Sequence, residues 1–78
     1  MQMAARVNTV RRALQRLREQ QARMGLGLRG DMQSASERME QQMDEAEAAL
    51  GAGDAAAAQK RLDAASRELE TLEKFLNL

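Results

Sequence analysis

Seventy-eight residues, with no Cys, no His and Phe75 as the only aromatic, leave room for one small domain. They exclude a disulfide framework, a thiolate zinc site and the commonest general base. Twelve Lys and Arg balance twelve Asp and Glu, so net charge draws the chain to neither polyanions nor polycations. Ala supplies 15 residues and Pro none, and with abundant Glu, Gln, Arg and Leu this is the composition of long helices and coiled coils. No apolar run approaches the roughly 20 residues that span a bilayer, and the first ten residues lack a signal-peptide apolar stretch. The absence of cysteine fits the cytosol, which is the favoured compartment. The chain reads as a single helical domain, 1–78, either complete or a piece of a larger protein.

The first helix is predicted over about residues 2–24. Met3, Val7, Val10, Leu14, Leu17, Gln21 and Met24 alternate spacings of four and three, the seam of a heptad. Gln21 is a polar interruption that fixes register or marks a fraying end. Residues 1–30 hold seven Arg and one acid, Glu19, for a charge of +6. Arg12, Arg16 and Arg23 lie opposite the seam, with Glu19 among them, and Arg11 and Arg18 flank it.

Gly25, Gly27 and Gly30 then stop the helix, since each Gly costs about 1 kcal/mol relative to Ala inside one. Together with Leu26, Leu28 and Arg29 they spell G-x-G-x-x-G, the letters of a dinucleotide-binding turn. That turn needs a strand before it within a βαβ unit. A Gln- and Arg-rich helix precedes it here, so the segment is expected to be an interhelical loop that binds no nucleotide. Arg29, Gly30 and Asp31 match a tripeptide read by cell-surface adhesion receptors, but each has a local role as loop end, helix break and N-cap.

The second helix is predicted over 31–50, with Asp31 as its N-cap. Its seam is Met32, Ala35, Met39, Met43, Ala46 and Leu50, with one stutter that makes the stripe drift. Residues 31–54 hold seven acids and one base, Arg38, for a charge of −6. Glu37, Glu40, Asp44, Glu45 and Glu47 sit on one exposed helix, which encloses no acid–base or cation site, and no metal or cofactor is expected. Met24, Met32, Met39 and Met43 fill gaps in a core short of bulky residues.

Gly51, Ala52, Gly53 and Asp54 form the second break, with Asp54 as N-cap of a helix over 54–77. Ala58, Leu62, Ala65, Leu69, Leu72 and Leu76 form its seam. Gly53, Asp54, Ala58, Leu62 and Ala65 resemble the turn and second helix of a tetratricopeptide-type hairpin. The bulky aromatics of that repeat are missing, Ala55 standing where one is usual, and no second copy follows at a period of about 34 residues. No family is assigned on that likeness.

Helices of this length are marginal alone in water, and short connections favour antiparallel neighbours. The expected fold is all-α: an antiparallel, up-down-up three-helix bundle with coiled-coil-like seams, self-association remaining an alternative. Leu14, Leu17, Leu62, Leu69 and Leu72 are the expected core. Antiparallel pairing of the first two seams gives facing residues an index sum near 56–57, and Arg18–Glu40 and Arg11–Glu47 both sum to 58. These four residues are the expected interhelical ion pairs, worth more as register markers than as stability. The function expected is a non-enzymatic protein–protein interaction or oligomerisation module, with another protein or a second copy as partner. The alternative is a basic-helix module that contacts nucleic acid or anionic membrane through Arg12, Arg16 and Arg23. It is disfavoured by the neutral total and the lack of stacking aromatics.

Overall fold

The computed structural model describes residues 2–78. Three α-helices make up the fold, with no strand among the described residues: α1 (Gln2–Arg23), α2 (Gly30–Gly51) and α3 (Ala55–Leu76). Each has 22 residues and so runs about 33 Å. The body measures 46 × 20 × 16 Å, a rod a little longer than its helices.

All three helices stop by the same device. Leu26 N–H donates to Gln21 O at 2.7 Å and Gly25 N–H to Ala22 O at 3.0 Å, closing α1 in a Schellman turn around left-handed Gly25 (φ 74°). Asp54 N–H to Ala49 O and Gly53 N–H to Leu50 O repeat it after α2 around Gly53 (φ 77°). Leu78 N–H to Glu73 O and Asn77 N–H to Lys74 O repeat it after α3, where Asn77 takes the left-handed position (φ 58°).

The helix starts differ from one another. Asp54 caps α3, accepting from Ala57 N–H at 3.0 Å. Asp31 does not cap α2: the helix begins one residue earlier, Arg29 holds the cap position and no side chain bonds there. Asp31 instead lies in the first turn, where a carboxylate favours the positive end of the helix dipole.

One buried cluster draws on every helix. It joins Val7, Val10 and Leu14 of α1 to Met32, Ala35 and Met39 of α2 and to Leu69 and Leu72 of α3. Leu14, Leu69 and Leu72 of the expected core are buried; Leu17 is half-buried at the cluster's edge, and Leu62 is half-buried outside it. The bulky core therefore lies toward the C-terminal half of α3. Ala46, Ala58 and Ala65 are buried beyond the cluster. Such small side chains let backbones approach, and α2 and α3 are the pair that comes closest, α1 meeting α3 at fewer points.

Two sets of variants test this description by urea denaturation. Gly25→Ala and Gly53→Ala should each cost about 1–2 kcal/mol, because a Cβ there has open space and the left-handed backbone alone penalises it. Gly30→Ala, in an ordinary helical turn, should instead stabilise by about 0.4–1 kcal/mol. Leu69→Ala should cost about 2–5 kcal/mol, and Leu62→Ala clearly less. Equal losses at Leu62 and Leu69 would contradict the position of the core.

Candidate functional site

Three two-pronged arginine–carboxylate contacts tie the helices together, one for each pair. Arg6 holds Glu73 through Nε–Oε2 at 3.1 Å and Nη2–Oε1 at 2.7 Å, joining α1 to α3. Arg38 holds Glu68 at 2.8 and 3.2 Å, joining α2 to α3. Arg11 holds Glu40, its Nε donating to Oε2 at 2.8 Å and its Nη2 to Oε1, joining α1 to α2. The planar guanidinium matches both carboxylate oxygens, so such a contact carries geometric information beyond its charge. Arg61 Nη1 also lies 3.0 Å from Glu45 Oε2, a buried oxygen with no hydrogen bond, so the attraction there is coulombic.

The ion pairs between α1 and α2 thus differ from the expected ones: Arg11 takes Glu40 in place of Glu47. Arg18 lines a groove with Glu40 but forms no ion pair to it, and Glu47 is exposed without one among the described residues. The groove, of about 520 Å³, also takes in Ser36, Glu37 and Asp44. The acids of α2 are not gathered into a cation site: among the described residues no group of three acids is placed to hold a metal ion.

Charge neighbours shift two carboxyls. The hydrogen bonds from Arg11 hold Glu40 below its usual value, with the positive charges of Arg11 and Arg18 adding to that and partial burial opposing it. Arg6 does the same to Glu73.

Arg12, Arg16 and Arg23 are exposed and have no ion-pair partner among the described residues. The sequence-stretch Arg29-Gly30-Asp31 closes on itself, Arg29 Nη2 bonding Asp31 Oδ2 at 2.9 Å while its guanidinium covers the Phe75 ring at 5.6 Å. No strand precedes the Gly25–Gly30 loop, as a dinucleotide turn would require.

The sequence reading did not single out the apolar end of the rod. Met24 (66% exposed), Leu26 (57%), Phe75 (37%) and Leu78 (58%) are the large apolar residues left in solvent near the ends of α1 and α3. Between those ends lies a groove of about 350 Å³ walled by Ala13, Leu17, Phe75, Leu76 and Leu78. No described helix is long and apolar enough to cross a membrane. Comparisons with family models, curated proteins and solved structures find no match to this chain.

The Arg11–Glu40 contact can be tested by a double-mutant cycle, which should give a small favourable coupling of about 0–1 kcal/mol at low salt. The Arg11–Glu47 cycle should give none. A carboxyl held below 4.5 when folded stabilises above that value and loses the contribution as pH falls through its folded value. The Arg11–Glu40 coupling should therefore be present at pH 7 and lost in strong acid.

Proposed function

We propose that this chain is a non-enzymatic helical module for protein–protein interaction or oligomerisation, folded as an antiparallel, up-down-up bundle. Its topology is supported by ion-pair numbering. Arg38–Glu68 and Glu45–Arg61 both sum to 106, so residue numbers fall along α3 as they rise along α2, about a turn centred on Gly53. Arg11–Glu40 and Arg6–Glu73 tie α1 to both other helices, and its antiparallel course beside α2 rests on the short connection between them. The heptad spacing of the three seams supports coiled-coil-like packing.

The observation that carries the functional reading is the uncovered apolar end. Leu14 of the α1 seam is 2% exposed, whereas Met24 of the same seam is exposed, as are Leu26, Phe75 and Leu78 near the ends of α1 and α3. Exposed apolar patches mark contact surfaces. A chain without His or Cys, whose carboxylates lie on open helix faces, offers little for catalysis.

A second reading rests on Arg12, Arg16 and Arg23, three unpaired cations along one edge of α1 that phosphate groups could meet. Titration with duplex DNA and with anionic vesicles at two salt concentrations separates the two. Binding that persists at physiological salt would favour the second reading. Sedimentation equilibrium adds the chain count: a mass that rises with concentration, and no longer does so in Phe75→Ser, would assign the apolar end to a second copy.

A further inference from the structure

The groove between the ends of α1 and α3 has an asymmetric lining. Ala13 and Leu17 on α1 and Phe75, Leu76 and Leu78 at the end of α3 line it together with the polar Gln20 and one charged side chain, Arg16. Arg12 and Arg23 continue the Arg16 edge at spacings of four and seven, one side of α1. None of these three arginines has an ion-pair partner among the described residues, and neither has Lys74, beside Phe75. Glu73 is engaged by Arg6, and Glu19, which accepts a hydrogen bond from Gln15 at 3.2 Å, is the one acid of α1, so this edge keeps a net positive charge. On the α1 seam Leu17 is half-buried and Met24 is exposed.

We propose that this groove docks an acidic-faced amphipathic helix of a partner protein, its apolar stripe on Leu17, Phe75 and Leu78 and its carboxylates on Arg16 and the adjoining Arg12 and Arg23. The inference rests on the interaction-module reading and names its partner. Three features select this occupant. Apolar walls on both sides of a notch fit a helix-borne stripe, as when an amphipathic helix lies in a groove. A second copy would bring its own Arg16, Arg23 and Lys74 to the same end, like charges that oppose end-to-end pairing. A bilayer would need the apolar side chains on a flat or convex face, whereas Leu17 and Leu76 are recessed and half-buried.

The test is fluorescence anisotropy at physiological salt with a labelled amphipathic peptide of about 18 residues, five helical turns. It carries Leu at heptad a and d positions and Glu on the flanking ones; a second peptide carries Lys in place of Glu. The Glu peptide should bind saturably and about tenfold more tightly than the Lys peptide. Arg16→Glu should reverse the preference, and Phe75→Ser should weaken the Glu peptide by about tenfold or more. Both altered side chains are on the surface, so far-UV circular dichroism of the variants should match the parent chain. No binding of the Glu peptide, or a preference for the Lys peptide, overturns the proposal. Equal binding of both peptides, lost in Phe75→Ser, removes the acidic partner while leaving the interaction module standing. Self-association abolished by Phe75→Ser also overturns it, in favour of a second copy. Retained DNA or vesicle binding with no peptide bound removes the module reading as well.

Discussion

The close approach of α2 and α3 is the constraint on which the rest of the molecule depends. A chain with one Phe and no Ile, Trp or Tyr cannot fill a wide interhelical space. Close-packed interiors tolerate few voids, so scarce bulk must be met by shorter distances. Buried Ala46, Ala58 and Ala65 permit that between α2 and α3. The larger side chains are then concentrated where a third helix can share them, and Val7, Val10 and Leu14 bring α1 to Met32, Met39, Leu69 and Leu72. One end of the rod is thus packed by bulk and the other by small residues.

Charge then specifies what bulk leaves degenerate. Heptad seams of Val, Leu and Met can slide by seven residues with little change in apolar contact. A two-pronged arginine–carboxylate contact cannot, because both oxygens must meet the guanidinium fork. One such contact for each helix pair, at Arg6, Arg11 and Arg38, suffices to mark every register. All three lie at the partly solvated rim, where they discriminate among arrangements more than they add to stability. Arg12, Arg16 and Arg23 are exposed on α1 without an ion-pair partner among the described residues, and Arg16 lines the groove against the end of α3.

Much of this was legible in the residues alone. Three helices and their breaks follow from glycine placement and seam periodicity, since Gly25 and Gly53 stand where a left-handed residue ends a helix and Asp54 where a carboxylate starts one. Leu14, Leu69 and Leu72 sit at seam positions and are buried. The residues that pair Arg38 with Glu68 and Glu45 with Arg61 also stand at a constant index sum about the short Gly53 turn. Asp31 misled because a carboxylate beside a break serves equally as a cap or as a first-turn acid, and backbone geometry decides between them.

What the sequence by itself determined is thus local: where helices begin and end, which stripe of each is apolar, and the opposite charges of the first two segments. These follow from backbone sterics and a 3.6-residue period, which neighbouring residues control. Only the tertiary structure decided that Glu40 receives Arg11 instead of Arg18. Arg11 and Arg18 stand one heptad apart, as do Glu40 and Glu47, so local pattern is blind to a seven-residue slide. It also decided that Leu62 lies outside the bulky cluster and that Met24, Leu26, Phe75 and Leu78 stay in water. Burial of a seam residue depends on whether another helix reaches its level, a distance set by three-dimensional packing and recorded in no single segment.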